Sequence, residues 1–179
     1  MTPPPDEYYR PLLEAVSFAA RAHQGQMRKD GRTPYVAHVM RAMLILRDAF
    51  GIADRDALTA AVLHDTIEDT TTDFDDVTER FGPAVAGYVV ALTKDKRLAY
   101  EEREDRYLAG LASAPWPVKV CKFADIFDNL MDSAHLRPEQ RAKTLAKSRA
   151  FVAALSADLP PEARRAHEVV TALLARMGE

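Results

Sequence analysis

Two histidines and a set of carboxylates stand out because the stretches around them are otherwise apolar. In residues 60–70, AAVLHDTIEDT, His64 and Asp65 are followed one helical turn later by Glu68 and Asp69. At about 100° per residue the four fall within an arc of roughly 140°, so a continuous helix would aim them one way. In residues 117–133, PVKVCKFADIFDNLMDS, Asp125, Asp128, Asn129 and Asp132 have the spacing of a single helical stripe. Val118 and Cys121 occupy the upstream end of that stripe, and Phe123, Ile126, Phe127 and Leu130 cover the other side, so at least Asp125 is expected inside the protein. A buried carboxylate without a partner costs several kcal/mol and is normally paired, protonated or bound to a cation. Almost no Lys or Arg neighbours these acids in the sequence; Lys122 is the nearest base, and its helical position is expected to turn it partly away from Asp125. A divalent cation resolves the imbalance. His38, one turn into a separate apolar helix, supplies a further nitrogen. His38, His64, Asp65 and Asp125 therefore make a candidate four-ligand metal site, and mixed imidazole and carboxylate donors suit manganese, iron or zinc better than calcium or magnesium.

Helices must position these groups. Prolines at 11, 34, 83, 138 and 161 sit just ahead of, or inside, the first turns of helix-like segments. The spacing predicts helices over 7–23, 35–49, 55–69, 73–81, 83–93, 98–113, 117–133, 138–157 and 161–177. No stretch alternates in the manner of a strand bounded by hairpin turns. The segment over 55–69 is apolar nearly all round, the mark of a buried helix. The longest break, QGQMRKDGRTP at 24–34, is basic and polar and contains glycine. With no repeat and no dividing linker, the expectation is one all-α domain over 1–179, its core at about 10–155 and an amphipathic C-terminal helix at 161–177 free to lie on the domain or on a second copy. Trp116 is expected to anchor a helix start, His23 to make structural hydrogen bonds, and His135 and His167 to be exposed.

Composition narrows the function. The 179 residues are 47% hydrophobic and 28% charged, an ordinary globular mixture. A net charge of −3 argues against general nucleic-acid binding, which favours a basic excess. It leaves room for a small polyanion at a local basic cluster, of which there are two: Arg28, Lys29 and Arg32, then Lys94, Lys96 and Arg97. From charge alone, Lys94, Lys96 and Arg103 are candidates to neutralise phosphate. The acidic, proline-rich start lacks a signal peptide's basic and apolar parts, no apolar run reaches the length of a membrane span, and the single Cys121 has no disulfide partner within the chain, so a soluble cytoplasmic protein is expected.

The ordered set of a histidine, then His-Asp, then a distant aspartate resembles the HD-domain metal-dependent phosphohydrolases, an all-α superfamily. The finer similarity is to the hydrolase domain of RelA/SpoT proteins and the small stand-alone alarmone hydrolases. It rests on AHQGQMRKDGRTPYVAH (22–38), AAVLHDTIEDT (60–70), FG (81–82), LTK (92–94) and KFADIFDN (122–129), and runs from about residue 10 to 155. The resemblance implies a single helical bundle of about eight to nine helices and hydrolysis of the 3′-pyrophosphate of guanosine tetra- or pentaphosphate (ppGpp, pppGpp). It implies manganese on His38, His64, Asp65 and Asp125, and water activation by Glu68 and Asp69. It also implies substrate contacts from Arg28 and Lys29 to the base and from Asn129; Lys96 joins them as a phosphate contact from the charge argument. A small-molecule nucleotide is the implied partner, with neither nucleic acid nor membrane.

The chain departs from the family pattern at Val39, where proline is usual, and at Ile126, Asp128 and Met131, where a basic residue, a histidine or tyrosine, and an arginine are usual. An acid gained at Asp128 is expected to weaken a highly anionic substrate. That expectation favours a second reading, the same chemistry on a deoxynucleoside monophosphate or on the 2′-phosphate of NADPH. A non-catalytic nucleotide-binding module would not need the Glu68-Asp69 pair.

Overall fold

The computed structural model describes residues 5–178. Among them are nine α-helices and no strand: α1 (Pro5–Ala22), α2 (Val36–Leu44), α3 (Arg55–Leu63), α4 (Thr66–Asp69), α5 (Phe74–Leu92), α6 (Tyr100–Ser113), α7 (Trp116–Met131), α8 (Pro138–Leu155) and α9 (Pro161–Arg176). The architecture is all-α, as expected, and the differences from the sequence reading lie at helix ends. The segment 35–49 begins as α2 and finishes in a π-turn over Ile45–Ala49. Helix 117–133 becomes α7 followed by a 3-10 turn over Asp132–His135. The helices expected over 73–81 and 83–93 follow one another within α5, divided as expected at Gly82, whose φ of 85° and ψ of 162° are not helical and form a combination that only glycine adopts without strain.

The helix expected over 55–69 is broken. It ends as α3 at Leu63, and His64 and Asp65 form a turn before the short α4 begins. Asp54 caps α3 by accepting a hydrogen bond from Ala57 N at 2.7 Å. Every residue from Ala57 to Leu63 is buried, and α1, α2, α5 and α7 surround the helix. Apolar burial on this scale stabilises by about 1.5–3 kcal/mol for each large side chain such as Leu58 or Leu63. Such packing leaves α3 little freedom to shift, so the turn at its end is a fixed point.

The C-terminal helix lies on the domain: Ala163, Ala166, Val170, Leu173 and Leu174 are buried, and α9 packs on α7 and α8. His167 is half-buried rather than exposed, because its ring meets the edge of Phe123 at 5.8 Å between centroids. His135 is exposed and Trp116 packs half-buried against the core, both as expected. Among the described residues no helix is long and apolar enough to cross a membrane.

Candidate metal centre and its cleft

Three core elements meet at one point: α2 brings His38, the turn after α3 brings His64 and Asp65, and α7 brings Asp125. His64 and Asp65 lie in the turn after Leu63, and both side chains face the point that His38 and Asp125 reach from the other two helices. His64 Nε2 lies 3.0 Å from Asp65 Oδ2 and 3.9 Å from Asp125 Oδ1. His38 Nε2 lies 3.3 Å from Asp125 Oδ1 and 3.6 Å from Asp65 Oδ2. Donors bound about 2.1 Å from one ion stand roughly 3.0–3.4 Å apart, so this spacing suits a single cation. Among the described residues His38, His64 and Asp65 form a cluster whose donor atoms all lie within 4.8 Å of one another, and Asp125 joins it through the two histidines.

The imidazoles are already oriented. His64 Nδ1 is 2.8 Å from the Ala61 carbonyl, which only accepts, so Nδ1 carries the proton. When the ring is neutral it presents a lone pair at Nε2, which is buried and has no hydrogen-bond partner although a carboxylate oxygen faces it at 3.0 Å. Two electron-rich atoms opposed in this way need a cation between them. His38 repeats the arrangement, with Nδ1 2.6 Å from Asp128 Oδ2. Protons answer the same demand: burial opposes a charged His38, yet its hydrogen bonds to Asp125, Asp128 and Asp65 lift its pKa to about 10. Burial likewise works against ionised Asp65 and Asp125, and nearby positive charge holds both well below the usual carboxylate range.

The carboxylates are tethered more closely than the sequence implied. Lys122 does not turn away: its Nζ lies 2.7 Å from Asp125 Oδ2, because the lysine stem bends back over one turn of α7. Arg28, Arg41 and Lys122 all neutralise acids in or beside the site, so the expected shortage of counter-charge holds only along the chain. Tyr35 donates to Asp65 Oδ2 at 2.6 Å. Asp128, expected to repel an anionic substrate, is 3% exposed and turned to His38 and Arg41 instead. Tyr35 stands one turn before His38 and Asp128 one turn after Asp125; that periodicity was the signal available for both.

A cleft of about 500 Å³ opens over this centre, within the size range of ordinary small-molecule sites. Met27, Arg28 and Lys29 of the basic loop form one wall; Tyr107 of α6 and Thr144, Lys147, Ser148 and Phe151 of α8 form the other. The loop is well built: Arg28 N donates to Thr33 O at 2.8 Å, Tyr35 N donates to Gln26 O at 2.9 Å, and Asp30 accepts from Arg32 N and Thr33 N at 2.8 and 2.9 Å. Arg28 is thereby fixed, donating to Asn129 Oδ1 at 2.8 Å and Asp132 Oδ2 at 3.0 Å with its guanidinium over the Tyr35 ring. Asn129 in turn donates to Asp125 Oδ1, which links the loop to the metal centre. Lys29 is exposed at the cleft wall.

Glu68 and Asp69 both line the cleft. Glu68 Oε2 accepts from Lys94 N at 2.9 Å, and burial raises the Glu68 pKa against the influence of that bond. Asp69 is engaged by Lys96 Nζ at 2.8 Å, and its carbonyl by Gln26 Nε2 at 2.7 Å. Gln26 also meets His23 Nδ1 at 2.8 Å, the structural role expected of that histidine. Lys96 is thus occupied with Asp69, and neither it nor Arg103 is among the residues lining the cleft. The lysines that do line it on the far side are Lys94, Lys122 and Lys147, the first and last joined through Glu104 at 3.0 and 2.6 Å.

The chain matches the HD domain family over residues 15–159. It is 42% identical over 122 residues to the guanosine-3′,5′-bis(diphosphate) 3′-pyrophosphohydrolase MESH1 of Drosophila melanogaster, covering 68% of each chain. The human MESH1 is 42% identical over 129 residues, 72% of each chain. The bifunctional (p)ppGpp synthase/hydrolase SpoT of Escherichia coli is 30% identical over 145 residues, which are 78% of this chain and 20% of that one. A solved structure described as a metazoan ortholog of SpoT that hydrolyses ppGpp superposes with a TM-score of 0.81 at 30% identity, covering 99% of both chains. With the broken helix, the paired histidines and the acid pair all in place, the chain belongs to the HD-domain family, in its RelA/SpoT-type branch.

Proposed function

We propose that this chain hydrolyses the 3′-pyrophosphate of guanosine tetraphosphate and pentaphosphate, giving GDP or GTP and pyrophosphate, with one manganese ion held by His38, His64, Asp65 and Asp125. The observation that carries the reading is the convergence of two imidazoles with committed Nδ1 atoms on two carboxylates, at the floor of a cleft that also holds Glu68 and Asp69. The relatives named as pyrophosphohydrolases supply the substrate. A divalent cation in such a site lowers the pKa of bound water and offsets charge on the phosphoryl group.

Glu68 accepts the proton of the attacking water: one of its oxygens is held by Lys94 N, and burial makes it a stronger base than an ordinary carboxylate. Asp69, held by Lys96, orients the same water. The water oxygen forms a bond to the phosphorus nearest the sugar, the bond from that phosphorus to the ribose 3′-oxygen breaks, and the 3′-oxygen takes a proton. Arg28, fixed flat by Asn129 and Asp132, stacks on the base, while Lys29 meets phosphate as a point charge. Lys94, Lys122 and Lys147 face the remaining phosphates. The reading with a less anionic nucleotide loses its main support, since Arg41 and His38 neutralise Asp128.

The test is hydrolysis of guanosine tetraphosphate by metal-free protein with and without added manganese, beside NADPH and deoxynucleoside monophosphates. Manganese-dependent pyrophosphate release from the tetraphosphate supports the reading; phosphate release confined to the other nucleotides overturns it. Glu68→Gln should keep the metal and lose about 10²–10⁴-fold in kcat, the usual range for a general base.

A further inference from the structure

We propose that Asp128, clamped by Arg41, is a positioning residue for the metal centre, holding the His38 ring through Nδ1 and setting the lone pair that His38 offers to the ion. This rests on the metal reading above and concerns a carboxylate that departs from the family pattern at that position.

Helices α2 and α7 meet at two successive levels. At the first, His38 Nε2 faces Asp125 Oδ1 at 3.3 Å. One turn further along both helices, Arg41 faces Asp128, with Arg41 Nη2 3.0 Å from Oδ2 and Arg41 Nε donating to Oδ1. Asp128 joins the two levels, since its Oδ2 also lies 2.6 Å from His38 Nδ1. At 3% exposure, and outside the residues that line the cleft, it is placed to act on the imidazole rather than on substrate. The fork of Arg41 uses both carboxylate oxygens and fixes the plane of the group, which fixes the direction from which His38 is held.

A charged acceptor on the far nitrogen of a ligand histidine pins the tautomer and makes the ligating nitrogen more electron-rich; loss of such a partner typically costs 10–100-fold in metal affinity. His64 has only the neutral Ala61 carbonyl in that place. The two histidines are therefore unequal, and His38 is the stronger ligand. A purely structural role for Asp128, as an ion pair joining α2 to α7, would change folding stability and leave ion affinity where it is.

The experiment titrates metal-free wild type, Asp128→Asn, Asp128→Leu and Arg41→Gln with manganese(II) and cobalt(II) by calorimetry, and records the visible spectrum of the cobalt forms. Urea midpoints of the metal-free proteins report folding separately. Affinity should fall in the order wild type, Asp128→Asn, Asp128→Leu, because an amide oxygen still accepts from Nδ1 but carries no charge. Asp128→Leu should lose about 10–100-fold, with an altered cobalt spectrum, and Arg41→Gln should lose less, since Asp128 remains. Arg41 is 36% exposed and can turn to water when its partner is removed. Affinities within twofold of wild type and unchanged cobalt spectra, with only the urea midpoints moved, would overturn the proposal. Should Asp128→Leu fail to fold, Asp128→Asn decides by the same criteria. A wild type that binds neither ion removes the metal reading and this inference together, whereas a wild type that binds beside variants that bind equally well removes only the inference.

Discussion

Replacing Lys122 with methionine tests the electrostatics of the metal centre without touching a ligand. Asp125 divides its oxygens: Oδ1 faces His38, and Oδ2 lies 2.7 Å from Lys122 Nζ, with the two side chains 12% and 13% exposed. Breaking a buried pair by removing one partner costs about 3–5 kcal/mol, because the other charge is left uncompensated. Lys122→Met keeps the apolar stem's length but removes the ammonium that lies over the Tyr107 and Phe151 rings, 5.4 and 4.9 Å from their centroids, so the metal-free protein should lose about 3 kcal/mol. With a divalent cation bound, Asp125 has a second counter-charge, and the loss should shrink to the 0–1 kcal/mol typical of a dispensable pair. The difference of about 2–3 kcal/mol must reappear as tighter ion binding, roughly 30- to 140-fold at 1.4 kcal/mol per decade. Urea unfolding of both proteins, in chelator and in saturating manganese, measures the two losses, and direct titration gives the affinities. Equal losses in both conditions, or weaker ion binding by the variant, would refute the division of Asp125 between a lysine and a cation.

Asp65→Ala should abolish ion binding and activity together, checked by metal content after dialysis against manganese. Tyr35→Phe removes the donor to Asp65 Oδ2 and should weaken ion affinity about 10-fold with little change in fold, read by the same titration. Burial opposes ionised Glu104, but Lys147 and Lys94 hold its pKa below 4.5. Its contribution to stability should therefore be complete above about pH 4.5 and fade as pH falls through the lower folded value; the gap in urea midpoint between wild type and Glu104→Gln should close in that direction. Burial pushes the Cys121 thiol well up, and its Sγ donates to Ala57 O at 3.2 Å, so a thiol reagent should label the protein only after denaturant is added.

The fold and the floor of the site were legible from sequence for different reasons. Apolar residues all round α3 and the prolines at helix starts report local physics, which a single segment carries. The acid stripe of α7 was readable because a helix repeats every few residues. What stayed hidden were contacts across helices. Arg41 and Asp128 are 87 residues apart, as are no neighbours in sequence, so Asp128 read as an unopposed acid. Lys122 and Asp125 are three residues apart and so neighbours on the surface of α7, only about 60° round the helix; that offset was given too much weight against the reach of a four-carbon stem. The break after Leu63 falls at His64, Asp65 and Thr66, weak helix formers, but the apolar and acidic periodicity on either side of them outweighs that signal; at the break, His64 Nδ1 bonds Ala61 O and Thr66 Oγ1 bonds Leu63 O.

That break ties the chemistry to the register of the core. Because His64 and Asp65 follow directly from a helix buried on every side, any rotation or axial slip of α3 carries both ligands with it, while His38 and Asp125 ride on separate helices. An overpacked or hollowed position at Leu58 or Val62, neither of them a ligand, should therefore reach the ion before it reaches the fold as a whole. Ion occupancy in such variants becomes a gauge of how faithfully the interior is packed.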